Sequence, residues 1–343
     1  MSPSTYKRIL FNERPEGEIT STTFRLDVVP FDLKPGAGEA LVQITYLSLD
    51  AAMRAWMKPT STYMAPLQEG DVMRSGGLGV VIEVGEGSKL SVGDLVYGAV
   101  GWREYGVYKD AELTVHKVPP GAEALDFLGA LGLTGLTAYF GLTDIGKLKA
   151  GETLVVSGAA GATGSLVCQI GKILGARVIA IAGSADKCHY LETELGVEKA
   201  LNYKDADFKT QFKQTLKGGL DVYFDNVGGE ILDLCLTRLN MYARVVMCGA
   251  ISEYNGKPKG LQNYLTVISQ RATLQGFIIF DYAKQFHVGL AEIGKWLAEG
   301  KLKRKFHVVE GLEKAPEALP MLYSGGNTGK LVVKVADAVG SKL

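Results

Sequence analysis

Two short stretches carry residues whose types and spacing could do chemistry. The first, Leu154-Val-Val-Ser-Gly-Ala-Ala-Gly-Ala-Thr-Gly164, runs from an apolar segment through a glycine-rich turn towards the amphipathic SLVCQIGKILG. A helix that opens at such a turn points free N–H groups and the positive end of its dipole at an anion, which suits a pyrophosphate. Gly161 lets backbone approach phosphate and Gly164 lets helix lie close to strand, with Ala162 and Thr163 between them. The second stretch, IAIAGSADK, ends at Lys187. A carboxylate closing this strand would hold the ribose hydroxyls of a plain dinucleotide and repel an added phosphate. No acid stands at its tip: Gly183 and Ser184 leave space and Lys187 brings a counter-charge. This pattern points to NADPH over NADH, with Asp186 expected to face solvent from the first helical turn. The alternatives are a purely structural turn and a solvated surface lysine.

The surrounding elements place both stretches at strand ends. Up to about residue 125 the chain shows short alternating runs, EALVQITYLSL, GGLGVVIEVG, GDLVYGAVGW, REYGVYK and LTVHKVP, separated by Gly and Pro turns. They predict a compact, mostly β domain. From GALGLTGLTAYFGLTDIG onward, helices alternate with strands: TLVVSG, SLVCQIGKILG, RVIAIAG, CHYLETELG, DVYFDNVGG, EILDLCLTRL and ARVVMCGAI. That alternation predicts an α/β unit with a parallel, doubly wound sheet of the Rossmann type. The last part, FHVVEG and KLVVKV around a helix LEKAPEALPML, is expected to rejoin the first domain. The division is therefore 1–126 with 302–343 for the substrate domain and 127–301 for the dinucleotide domain.

Composition narrows the functions. The 343 residues carry 37 basic and 37 acidic side chains without clustering, so no electrostatic footprint for nucleic acid exists. No apolar run is long enough to span a membrane, and the N-terminus lacks a signal-peptide core. Cys168, Cys188, Cys235 and Cys248 show no pairing pattern, which suits a reduced, cytoplasmic setting. The terminal Ser341-Lys342-Leu343 reads as a peroxisomal address in a eukaryotic host. The first 167 residues hold no cysteine and one histidine, His116, so a catalytic zinc, which needs about three N, S or O ligands, is not expected. The remaining histidines, His189, His287 and His307, read as surface or packing residues.

Further motifs extend the pattern over nearly the whole chain: SLDAAMRAWM, GDVMRSGGLGVV, GLTAYFGL, LNYKD, YFDNVGGE, VMCGAISEYN, QGFIIFD, GLEKAPEAL and GGNTGKLVVKV. In these the chain resembles the zinc-free medium-chain reductases that reduce activated carbon–carbon double bonds, the alkenal and alkenone reductases with the prostaglandin reductases among them. The resemblance implies a Rossmann-type domain plus a mostly β, GroES-like domain, and a homodimer. It implies that Gly161 to Gly164 hold the pyrophosphate with Thr137 nearby, and that Lys187 and Tyr203 hold the 2′-phosphate. Asn226, the run Cys248, Gly249, Ala250, Ile251, Ser252, then Phe277, Ile278, Ile279 and Asn327, would surround the rest of the cofactor. Tyr254 matches the family's tyrosine, a neutral donor to the enolate formed when an enone receives hydride. Its alternative is a pocket-lining side chain without effect on rate. Cys248 itself reads as a packing residue, since nothing near it suggests a lowered thiol pKa.

Tyr63 is a weaker substrate candidate, and Met53, Met57, Met64 and Met73 suit either an adaptable pocket or core filling. The family usually has proline after the aspartate of SLDAAMR, where Ala51 stands here, which bears on the loop beside the substrate. Two other functions fit the same residues: reduction of quinones, and an NADPH-binding protein without turnover.

Overall fold

The computed structural model describes residues 3–60 and 62–337, so the terminal Ser341-Lys342-Leu343 lies outside the described residues. Six parallel strands form one sheet, in the spatial order Lys199–Asn202, Arg177–Ala182, Thr153–Val156, Leu220–Asp225, Leu239–Met247, Thr273–Gly276. Numbered along the chain, this is 3-2-1-4-5-6, the doubly wound Rossmann order, and the order reverses beside Thr153–Val156.

Why the strands are so apolar follows from burial on both faces. Successive side chains of a strand point to opposite faces. Leu154 and Val156 therefore meet Val167 and Ile170 of the helix Ala162–Ile173 on one face, while Val155 meets Phe212 and Leu236 on the other. Gly175, at φ +83°, ends that helix one residue after its cap, as a left-handed glycine does.

The second sheet has the order Phe306–Glu310, Lys330–Lys334, Glu39–Ser48, Gly77–Val84, Leu95–Gly98, Leu113–Val115, with Tyr105–Lys109 also pairing on Glu39–Ser48. Lys330–Lys334 runs antiparallel to Glu39–Ser48, so the end of the chain is built into the sheet that its beginning starts. This sheet encloses its own core, including Leu47, Trp102, Leu331 and Val333. Met53, Met57 and Met73 are fully buried there, which decides three of the four methionines in favour of core filling.

Some helices differ from the expected ones. LEKAPEALPML is not one helix but the short turns Leu312–Lys314, Ala315–Ala318 and Met321–Ser324, because Pro316 and Pro320 lack the N–H that a continuous helix needs. The helix expected from residue 129 begins only at Leu133; before it, Gly129 and Leu131 both donate their N–H groups to the Asp126 carbonyl, which ties that stretch into turns. The helix Phe286–Ala298 and the edge strand Thr273–Gly276 are two further elements not assigned from the sequence.

Candidate active site

The phosphate turn is built by Ser157 to Gly164. Gly158 takes φ +57°, and Gly161, in extended conformation, caps the helix Ala162–Ile173, whose Ser165 N–H reaches the Gly161 carbonyl at 3.0 Å. A Cβ on Gly164 would lie 2.3 Å from the Gly158 oxygen and 2.8 Å from Ala159 Cα, so only glycine lets the helix come this close. Gly161 is less constrained, at 3.2 Å. Ala162 and Thr163 form the first helical turn. The return segment closes over this turn: Gly329 donates its N–H to the Ala160 carbonyl at 2.8 Å and pairs with Gly161 as an isolated bridge. Asn327, buried, donates its amide to the Gly329 carbonyl at 3.0 Å. Thr137 stands on the helix Leu133–Phe140, which packs on Ala162–Ile173, and its hydroxyl donates to the Leu133 carbonyl at 2.7 Å.

At the end of the neighbouring strand, Ser184 caps the helix Ala185–His189 by accepting the Lys187 N–H at 3.3 Å. Asp186 is exposed on the first turn. The Lys187 ammonium donates to the Gly325 carbonyl at 2.8 Å, and burial, then repulsion from Lys204, pushes its pKa below the ordinary lysine value. Tyr203 lies against Gly183 so closely that a Cβ there would come within 2.9 Å of its ring. The structure thus brings Gly183, Ser184, Lys187 and Tyr203 together. It adds Gly325 and Lys204, which lie in the quoted motifs GGNTGKLVVKV and LNYKD but had no role assigned; Lys204 Nζ lies 5.8 Å from the Tyr203 ring centre.

A buried knot holds the other end of the cleft. Asp225, fully enclosed, accepts on Oδ1 from Ser157 Oγ, Tyr223 Oη and the backbone N–H groups of Val227 and Gly228, at 3.0, 2.7, 3.0 and 2.9 Å. Its backbone carbonyl takes the N–H groups of Cys248 and Gly249. Asn226 is held on Ser157 through its backbone N–H and its side-chain amide, at 3.0 and 2.8 Å. Ile251 and Ser252 donate backbone N–H groups to the Asn226 and Val227 carbonyls. A Cβ on Gly228 would come within 2.9 Å of Ala250 Cβ, so the two loops interlock. Phe277 packs on Gly141 and meets Tyr282 edge-on; Ile278 and Ile279 are half-buried beside it. Ser157 and Asp225 organise most of this end, and both looked like strand-end residues in the sequence.

Tyr254 follows the short turn Ile251–Glu253, and its oxygen accepts the Ala250 N–H at 3.2 Å. Burial raises its pKa above the usual phenol value, while the Ala250 bond pulls the other way. Tyr63 is near enough to act electrostatically on it, and Tyr254 in turn acts on Tyr323. Tyr63 accepts from Trp56 Nε1 at 3.2 Å and its ring centre lies 6.4 Å from that of Phe280. Ala51 lies in the turn that the Met53 N–H closes on the Asp50 carbonyl, and its own carbonyl accepts from Tyr323 Oη at 3.1 Å. That contact shapes the loop where the family usually has proline.

Among the described residues no three His, Cys, Asp or Glu side chains come together as metal ligands. Burial pushes the thiols up, Cys188 to about 11 and, with Asp225 adding to it, Cys248 to about 12, and His116 is stacked on Phe127 at 3.8 Å. These residues do not fit a zinc ion. The glycine cradle and the Lys187–Tyr203 corner do fit a phosphorylated dinucleotide.

Comparison with known proteins identifies relatives over nearly the whole chain. Residues 7–116 match the family described as N-terminal domain of oxidoreductase, and residues 162–294 the one described as zinc-binding dehydrogenase. The chain is 42% identical to a putative NADP-dependent oxidoreductase, YfmJ, of Bacillus subtilis, over 97% of this chain and 99% of that one. It is 37% identical to the NADP(+)-dependent 2-alkenal reductase of Nicotiana tabacum, over 93% and 92%. The structure of CurA from Vibrio vulnificus in complex with NADPH superposes with a TM-score of 0.91 at 38% identity, covering 96% of this chain and 99% of that chain. The chain belongs to the NADP-dependent oxidoreductases of the medium-chain dehydrogenase/reductase superfamily, in the branch that contains the 2-alkenal reductases.

Proposed function

We propose that this chain reduces the carbon–carbon double bond of α,β-unsaturated aldehydes and ketones with NADPH. The observation that carries the reading is the Tyr254 hydroxyl: its oxygen is held by the Ala250 N–H, and its proton is left to donate. When bound, NADPH supplies hydride to the β-carbon of the alkene. As that carbon is reduced, negative charge grows on the carbonyl oxygen, where a fixed neutral donor stabilises it most. The backbone N–H on the Tyr254 oxygen favours such donation, and burial keeps the phenol neutral across the working pH range. The α-carbon takes its proton from solvent.

In this reading Gly161, Ala162, Thr163 and Gly164, with Thr137 and Asn327, bind the pyrophosphate region. Gly183, Ser184, Lys187 and Tyr203 bind the 2′-phosphate, and Asn226, Cys248 to Ser252 and Phe277 to Ile279 line the remainder. Tyr63 and Tyr254 face the substrate. Residues 127–301 form the cofactor unit, and 1–126 with 302–343 the substrate unit.

The experiment is NADPH oxidation with a panel of enals and enones, with the product identified. A saturated carbonyl supports the reading. Turnover of quinones alone would replace it with quinone reduction, and binding without any turnover would make the chain an NADPH carrier.

We also infer a homodimer. Thr273–Gly276 is the edge of the parallel sheet, and Met241, Tyr242, Leu265 and Ile268 are exposed beside it. An open edge flanked by apolar side chains favours pairing with a second copy. The sedimentation coefficient and boundary spreading in sedimentation velocity decide the mass, and a monomer at micromolar concentration rejects this assembly.

A further inference from the structure

We propose that Lys330 and Asp50 form a positioning pair that fixes the substrate wall of the cleft against the phosphate turn. Lys330 is only 3% exposed, yet carries a charge that none of the steps above uses. Its ammonium donates to Asp50 Oδ1 at 2.6 Å and to the Leu49 carbonyl at 3.1 Å. Ser48 Oγ donates to Asp50 Oδ2 at 2.5 Å, so both carboxylate oxygens are engaged.

The neighbours of the two residues show what the pair joins. Just before Lys330, Gly329 is bonded to Ala160 and bridges Gly161 of the phosphate turn. Just after Asp50, the Met53 N–H closes a turn on the Asp50 carbonyl and the chain enters the helix Met53–Trp56. Trp56 then holds Tyr63, and Tyr323 holds the Ala51 carbonyl. A continuous run of direct contacts therefore leads from the phosphate turn, through Gly329, Lys330 and Asp50, to the segment that carries Trp56 and Tyr63.

The physical reason to use an ion pair here is direction. A buried ammonium without its partner is strongly unfavourable, so residues 49–50 and 329–330 have one acceptable mutual placement. Apolar packing would tolerate sliding. Hydride transfer does not, since a displacement of about 1 Å can slow a positioned reaction about 100-fold. The proposal rests on the reading that hydride crosses this cleft, and it gives Lys330 and Asp50 no contact with the reacting atoms.

The test compares Asp50→Asn, Lys330→Met and the double variant. Asp50→Asn removes the counter-charge of the buried Lys330 ammonium and lowers the melting temperature by about 5–10 °C; Lys330→Met costs less, since the Asp50 side chain is 40% exposed and keeps its Ser48 bond, and the double variant recovers most of the loss. If the pair positions the wall, single-turnover hydride transfer from NADPH stays about 30- to 100-fold slow in all three, the restabilised double variant included. The dissociation constant for NADPH stays within about threefold, because the phosphate turn keeps its own contacts.

A second readout needs no turnover. Acrylamide quenching of Trp56 in the ligand-free protein, isolated by subtracting a Trp56→Phe background, increases in the double variant. A double variant with wild-type hydride transfer, or with unchanged Trp56 quenching, overturns the proposal. If the wild-type protein reduces no enone, the functional reading fails while the quenching experiment still decides the pair.

Discussion

At the end of the cleft proposed to hold the adenosine phosphate, Gly183, Ser184 and Lys187 follow one another at the tip of a single strand, and Tyr203 and Gly325 complete the corner. At the proposed substrate end, the neighbouring Trp56 and Tyr63 are joined by Tyr254, Phe280 and Tyr323, which arrive from distant parts of the chain and meet them only through folding. In the proposed function the first region recognises a fixed anion, for which a short rigid turn with a cation suffices. The second would surround an uncharged molecule and place one donor at one atom. Such a task needs walls from several elements, and it needs something to hold those walls in register.

That contrast breaks most sharply at Tyr254. Tyr254→Phe removes the only part of the residue that the proposed chemistry uses, and kcat with an enone is expected to fall about 100- to 1000-fold. Cofactor affinity, measured by fluorescence titration, stays unchanged. An equal loss in both would place Tyr254 in the cofactor site instead.

The opposite pattern is expected at the phosphate turn. Gly164→Ala brings a methyl group to 2.3 Å from the Gly158 oxygen, so the helix must move away from the turn. Overpacking of about 2 kcal/mol corresponds to a loss of about 30-fold in NADPH affinity, read by calorimetry. NADH suffers equally, because both coenzymes carry the pyrophosphate.

Lys187→Gln separates the two coenzymes. It weakens NADPH by about 10-fold, the loss of one charge-assisted hydrogen bond, and leaves NADH nearly as it was. The pH dependence has a definite sign. In the proposed role Lys187 binds phosphate while protonated, and burial with Lys204 lowers its pKa below the ordinary lysine value. The preference for NADPH therefore declines as pH rises through that lowered value, earlier than an ordinary lysine would lose its proton. Titrating both coenzymes between neutral and alkaline pH measures it, and a constant ratio would detach Lys187 from the phosphate.

The smallest effect is expected at Cys248. Burial, with Asp225 adding to it, pushes its thiol up to about 12, so it stays protonated beside the proposed cofactor position. Cys248→Ser should change kcat by less than about threefold, and incubation with an enone should leave the wild-type thiol unmodified by mass spectrometry. Rapid alkylation there would mean that the substrate end is more open to solvent than its packing indicates.

How far the sequence could be read follows the same division. The parallel sheet was legible because strands buried on both faces, such as Leu154–Val156 and Val178–Ala182, are continuously apolar and alternate with helices. The short turns between residues 312 and 324 were not, because the apolar spacing of LEKAPEALPML suggests one helix even where Pro316 and Pro320 interrupt it. Within the candidate site, Gly164 and Lys187 announce themselves by their place in a turn. Asp225 and Lys330 do not: a charged residue at the edge of a strand looks solvated until the fold closes over it.

The sequence by itself determined the two-domain α/β character, the phosphate turn and the cation at the next strand end, because each depends on residues close together in the chain. Only the tertiary structure decided that Met53, Met57 and Met73 fill a core, that Gly329 reaches Gly161, and that Lys330 finds Asp50. These contacts join segments far apart along the chain. Their partners are chosen by how the two sheets meet, which no local pattern of side chains records.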